Sequence, residues 1–261
     1  MSKMRGARAR AKKLRGHEVE DEYAVDYHGE VLRRRNSGEA YLPKPDVVIP
    51  SSQKPEWYDS VKCGAWSQLC LYNETNIPKH FSDYPELVGA IRECQEIFDS
   101  GYESNKNRYN TALQVPMRKL CQLLNSSTET HTGFIRQIVF SGEAVDRLVL
   151  VPAVDKEGDL LGSCLFRAHR EAVISAIVSA CEVGPSLARN SKQLDAQKVV
   201  WRHPMGGEMR NLIELELRRD KGFALKVRWN ITRIVVLLSA RLFGNNLERF
   251  SRNPKSVMRI N

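Results

Sequence analysis

From residue 56 to 124 the apolar positions recur at helical spacing. Trp57, Val61, Ala65 and Leu69 lie four apart, with Trp66 and Cys70 beside that line, and predict a first helix. Pro85, following Ser82-Asp83, suits the first position of a second helix with an apolar face of Leu87, Ala90, Ile91, Cys94, Ile97 and Phe98. A third helical stretch runs from about Asn107 to Leu124 on Leu113, Met117, Leu120, Cys121 and Leu124. Pro116 should kink it, and Asn125-Ser126-Ser127-Thr128 should end the helical section.

Beyond that point the period reads as two. Phe134, Ile135, Ile138, Val139 and Phe140 lead through Ser141-Gly142-Glu143 to Val145–Val151, which predicts a hairpin. Lys156–Asp159 turns into a third strand, Leu160–Phe166. An apolar helix follows from about Ala168 to Glu182, stopped by Gly184-Pro185. Lys198–Trp201, a turn at Pro204–Gly207, and Leu212–Arg219 form further strands. After Asp220-Lys221-Gly222, Phe223, Leu225, Val227 and Trp229 alternate with Ala224, Lys226, Arg228 and Asn230, the pattern of a half-buried antiparallel strand with a basic outer face. A last helix runs from about Thr232 to Phe243. It is apolar nearly all round, so it is either an assembly or membrane contact or the central core helix.

Helices first, then antiparallel strands with interspersed helices, predict an α+β fold with a helical N-terminal half. The compact body is expected as one domain over 56–247. Residues 1–55 read as a disordered basic and acidic arm followed by a stiff segment containing Pro43, Pro45, Pro50 and Pro55, rather than helix or sheet. Residues 248–261 read as a basic tail.

Composition sharpens this picture through charge. The 261 residues carry 40 Lys and Arg against 31 Asp and Glu, a formal charge of +9. Lys3, Arg5, Arg8, Arg10, Lys12, Lys13 and Arg15 fall within the first fifteen residues without one acid. Glu18, Glu20, Asp21 and Glu22 follow, then a second basic cluster, Arg33-Arg34-Arg35. These ten cations are the expected polyanion-binding residues, because each cation that neutralises a phosphate releases a counterion whatever the local fold. Lys12-Lys13-Leu14-Arg15 also fits a short nuclear-import pattern, which needs only an exposed basic cluster. Arg249, Arg252, Lys255 and Arg259 stand beside Val257, Met258 and Ile260 in the tail, a combination suited to an anionic leaflet. The basic N-terminus has no apolar segment behind it, unlike a secretory signal, and no apolar run is long enough to span a bilayer. Six cysteines in such a chain read as reduced structural thiols.

Catalytic patterns are sparse. No phosphate-cradling loop, dinucleotide fingerprint, nucleophile elbow or zincin helix occurs, and the cysteine spacings are too wide for a zinc module. No metal or cofactor is expected. His169 reads as a surface residue at a helix start and His203 as a turn residue. Glu214 and Glu216, with Arg218 beyond and Asp195 upstream, loosely resemble a metal-dependent nuclease strand; alternating charge on a wet strand face gives the same string. Tyr84-Pro85-Glu86-Leu87 matches a peptide that recruits membrane-scission machinery, and equally a helix start with Leu87 facing the core.

The basic arm at Lys3–Arg15, the adjoining acids Glu18–Glu22, the prolines from Pro43 to Pro55 and a body near 200 residues give a layout that resembles the matrix proteins of plant-infecting rhabdoviruses. The resemblance implies a non-enzymatic virion protein. Such a protein self-associates as a homo-oligomer, condenses ribonucleoprotein, contacts the inner membrane leaflet peripherally, and passes between host cytoplasm and nucleus with an import receptor as partner. No Pro-Pro-x-Tyr motif is present, and no functional residue carries over by position. Two other readings are an RNA-packaging coat or nucleocapsid protein, binding without sequence preference, and a metal-dependent nuclease on the Glu214/Glu216 strand.

Overall fold

The computed structural model describes residues 16–32, 45–52, 56–100, 106–152, 164–186, 198–219, 223–242 and 247–251. In chain order these form α1 (16–26), β1 (Glu30–Val31), β2 (Val47–Pro50), β3 (Glu56–Gly64), β4 (Trp66–Asn73), α2 (Ile77–His80), α3 (Pro85–Asp99), α4 (Lys106–Ser126) and α5 (Thr128–Phe140). They continue as β5 (Arg147–Pro152), β6 (Cys164–His169), α6 (Arg170–Ala180), β7 (Glu182–Pro185), β8 (Lys198–Met205), β9 (Glu208–Arg219), β10 (Phe223–Asn230), α7 (Ile231–Arg241) and β11 (Leu247–Ser251). The class is α+β, with two mostly antiparallel sheets.

The chain divides into two compact units, each built from separated segments. One comprises 1–65, 140–173 and 231–261; the other comprises 66–139 and 174–230. The first unit holds a six-stranded sheet in the order β1-β2-β3-β5-β6-β11, antiparallel except for the parallel β3–β5 pair. Alternation along its strands puts Val47, Ile49, Val61, Val149, Val151 and Leu165 in one cluster, which α1 covers with Val19, Tyr23 and Ala24. Leu148 and Leu150, of opposite parity on β5, are also buried, and α7 packs on β3 and β5. A central parallel strand buried on both faces reads as an unbroken apolar run, as β5 does.

The second unit holds the sheet β4-β10-β9-β8-β7, antiparallel throughout. Pro85 opens α3, where its missing N–H costs nothing. Pro116 lies inside α4. Phe134 of α5 stacks on Trp201 of β8 at 5.7 Å and on Phe81 at 5.3 Å. On β10, Phe223, Leu225, Val227 and Trp229 are buried, as the alternation predicts. Among the described residues no helix is long and apolar enough to cross a membrane.

Several expectations are corrected. Residues 56–73 form two strands rather than a helix. A spacing of four is even, so Trp57 and Val61 share a face on a strand just as they would on a helix. Gly64, at φ +93°, then makes the turn that separates β3 from β4. Residues 134–140 are helical, because Phe134, Ile135, Ile138 and Val139 also satisfy i, i+1, i+4, i+5. Ser127 starts that helix rather than ending a section, its Oγ accepting from Thr130 N–H at 3.1 Å. With α5 helical there is no hairpin, and β5 pairs with β3. Gly184-Pro185 belongs to β7, and His203 lies in β8, bonded to the Ala180 carbonyl at 2.9 Å. The compact part begins before Glu56: α1, β1 and β2 precede it, and the segment Val47–Pro50 pairs in a sheet. Residues 247–251 likewise form an edge strand of the first unit. Ile231, Ile234, Val235, Leu237 and Leu238 of α7 are all buried, which makes it a core helix; Val236 is exposed.

Candidate polyanion site and the anchorage of the basic segments

Lys3, Arg5, Arg8, Arg10, Lys12, Lys13, Leu14, Arg15, Arg33, Arg34, Arg35, Arg252, Lys255 and Arg259 lie outside the described residues. Arg249 lies within β11, opposite Phe166 of β6. The geometry on view is therefore that of the elements from which the two basic segments depart: α1, which residues 1–15 precede, and β11, which residues 252–261 follow.

Both elements are held by one side chain. Arg167, on β6, donates from Nε to Glu248 Oε2 of β11 at 2.7 Å and from Nη1 to the Tyr23 hydroxyl of α1 at 3.2 Å. Its guanidinium lies over the Tyr27 ring, 5.1 Å from the centroid. Strand alternation aims Arg167 at this side of β6, while Ala168 is buried. Tyr23 in turn donates to Asp59 Oδ2 at 2.6 Å. Asp59, on β3, has no exposed surface and receives a bidentate pair from Arg147 at the start of β5, Nε to Oδ1 at 2.7 Å and Nη2 to Oδ2 at 2.8 Å. Arg147 also stacks over Trp57 at 4.7 Å.

The electrostatics follow from burial. Burial pushes the Tyr23 hydroxyl up, and the Asp59 carboxylate adds to the shift, so Tyr23 stays a neutral donor. Burial also raises the Asp59 carboxyl, against the pull of Arg147 and the Tyr23 hydrogen bond. Burial acts to lower Arg167, but Tyr23 and Glu248 outweigh it and keep the guanidinium above its ordinary value. Each buried charge has an opposite partner at hydrogen-bond distance, the arrangement that lets charge persist out of water.

Sequence reasoning missed Tyr23, Asp59, Arg147 and Arg167. Asp59 and Arg147 were hidden by the helix expected over 57–69 and the hairpin expected over 134–151. One signal was available. Arg147 heads the apolar run Leu148–Val151, and a cation at the mouth of a buried strand needs a carboxylate from a neighbouring one.

The Glu214/Glu216 strand is β9, in the second unit. Glu214 Oε2 accepts from Arg228 Nε at 3.0 Å and Nη2 at 2.7 Å, with Lys198 Nζ at 3.8 Å; Oε1 accepts from Asn211 at 3.4 Å. Burial works to raise Glu214, yet Arg228 and Lys198 hold it below the ordinary carboxylate range. Arg228 and Lys226 stand opposite Glu214 and Glu216 on β10. The Glu214 carboxylate is thus committed to ion pairs with Arg228 and Lys198. Asp195 lies outside the described residues. Among the described residues, no group of three or more His, Cys, Asp or Glu is placed to hold a metal ion. In Tyr84-Pro85-Glu86-Leu87, Leu87 is fully buried and Pro85 opens α3, as the helix-start reading has it. No protein-family model matches the chain, and no curated protein matches it.

Proposed function

We propose that this chain is a viral structural protein of the matrix type, which self-associates and bridges ribonucleoprotein and anionic membrane through its two basic segments. What carries the reading is where the charge sits together with where its carriers are anchored. Residues 1–15 contribute +7 and residues 248–261 contribute +3, so residues 16–247 sum to −1. Residues 16–247 are thus close to neutral, and the excess lies in residues 1–15 and 248–261. Both ends leave the same unit from elements that Arg167 ties together.

That anchorage supports two-point attachment. Tyr23 is seven residues from the start of α1, about 10 Å along a helix. Glu248 is three from the end of β11, about 10 Å along a strand. Two polyanion contacts on a common root raise each other's effective concentration where both grip one polyanion, and hold ribonucleoprotein and membrane close together where each grips its own. A nuclear stage would use Lys12-Lys13-Leu14-Arg15.

The test is binding to RNA and flotation with anionic liposomes for the full chain and for chains lacking 1–15 or 252–261. The expected result is that losing the arm abolishes most RNA binding and losing the tail weakens flotation. If both truncated chains bind RNA and float as the full chain does, the bridging role is wrong. A coat or nucleocapsid role predicts RNA binding with no flotation at all. Hydrolysis of RNA that depends on added Mg²⁺ and disappears in Glu214→Gln would instead establish a nuclease.

A further inference from the structure

Among the described residues, the four edge strands of the two sheets are not equally protected. An exposed edge offers unpaired N–H and C=O groups to any extended chain, and proteins blunt such edges with short strands, charges, proline or a covering element. Three of the four are blunted here. β1 has two residues. β7 has four, ends in Pro185, and is sealed by the Asn125 side chain of α4, which donates to the Val183 carbonyl at 2.8 Å and accepts from the Val183 N–H at 3.4 Å. β11 has five residues and carries Glu248 and Arg249.

β4 is the exception. Trp66-Ser67-Gln68-Leu69-Cys70-Leu71-Tyr72-Asn73 is eight residues long, without charge and without proline. It pairs with β10 on one side and stands at the end of the sheet on the other. Trp66 keeps 36% of its surface exposed and Leu71 52%, large values for apolar side chains on a strand. The register with β10 slips between Val227 and Arg228, leaving Leu69 as the extra residue. That slip places Trp66, Gln68 and Leu71 on one face, opposite Asn230, Arg228 and Lys226.

We infer that the β4 edge is the contact through which one copy of this chain pairs with another, joining two five-stranded sheets into one of ten strands. The inference rests on the self-association reading and gives it a surface. The argument for a second copy is self-complementarity. An antiparallel pair about a two-fold axis between Gln68 and Leu69 sets Trp66 of each copy beside Leu71 of the other, on the same face, and brings no charge against a like charge. It also covers the exposed surface of Leu71 and that of Trp66, whose ring already carries the Arg228 guanidinium at 5.3 Å from its centroid. The pair is about 27 Å long and buries well under the roughly 1,600 Å² of a standard interface. The contact is consequently weak in isolation and suited to a lattice in which many copies are concentrated.

Sedimentation equilibrium of the full chain over a concentration series tests this, with Leu71→Lys and the pair Trp66→Lys/Leu71→Lys as variants and circular dichroism to verify folding. The wild type should approach a dimer, and Leu71→Lys should weaken association at least tenfold. The doubly lysine-substituted chain should stay monomeric, yet form heterodimers when mixed with Trp66→Glu/Leu71→Glu, a rescue that misfolding would not give. A wild-type dimer unaffected by these variants overturns the β4 contact while leaving self-association intact on another surface. A wild type that remains monomeric up to about 1 mM overturns both, and leaves the edge to a strand of some other protein. RNA binding by the arm is read separately and decides the bridging role.

Discussion

His131 illustrates how far a single side chain can set the behaviour of the second unit. It is 4% exposed on α5, and its Nε2 accepts from the Trp201 indole N–H at 2.8 Å, so the ring must be the tautomer with that nitrogen bare. Burial pulls its pKa down to about 4. The unfolded chain therefore binds a proton that the folded one refuses, and stability is complete above about pH 6.5 and lost as pH falls toward 4. The loss reaches about 3 kcal/mol. Urea unfolding between pH 4 and 7 should show it, and His131→Gln should flatten the slope in that window. At the other unit's core, Asp59→Asn should cost about 3–5 kcal/mol, because Arg147 loses its counter-charge in a buried site. Asp59→Leu combined with Arg147→Met should be less damaging than Asp59→Leu alone, since no orphaned charge is left behind; denaturant midpoints of the single and double variants decide this. None of these roles was legible beforehand. A histidine or an aspartate shows its environment only through neighbours far away in sequence, and Asp59 and Arg147 are 88 positions apart.

An element is legible in the sequence where one periodicity stands alone and ambiguous where two coincide. β10 alternates strictly over eight residues, and α3 has both an apolar face and an N-terminal proline; each lies where the pattern put it. β3 and α5 each carry a pattern that suits the other kind of element, because side chains four apart align on a helix and on a strand alike. What decides between them lies outside the segment. β3 is held by β2 on one side and by β5 on the other, and α5 by Ser127 and by the stack of Phe134 on Trp201. The proposed polyanion residues can be named from sequence because they need no fold, whereas the side chains anchoring their segments depend entirely on pairing. β11 gives a test at this scale. Glu248→Gln keeps the strand but removes the charge facing Arg167, and should loosen β11 without unfolding the unit. Faster amide exchange at residues 247–251, with unchanged exchange at β5, is the expected signature.

For the whole molecule the distribution of charge sets the response to salt. Seven cations in the arm predict that deleting residues 1–15 reduces the slope of log affinity against log salt by up to about 6 on duplex nucleic acid and somewhat less on single strands. Filter binding at several salt concentrations measures this, and an unchanged slope would place the binding in residues 16–261. If both ends grip one polyanion, removing residues 252–261 should cost affinity on long RNA that it does not cost on an oligonucleotide too short to reach both ends. The interleaving of the two units also has a bearing on how the chain is made. β3 and β5, neighbours at the centre of one sheet, are separated on the ribosome by β4 and by α2 through α5, and the sheet's last strand arrives only at residue 247. At about 5–20 residues per second, the nascent chain carries β3 for several seconds before its parallel partner emerges. The unit begun first is thus the last to close. Expression fragments cut at a single point cannot yield it whole, and a ribosome stalled before residue 147 would display an incomplete sheet for chaperones to shield.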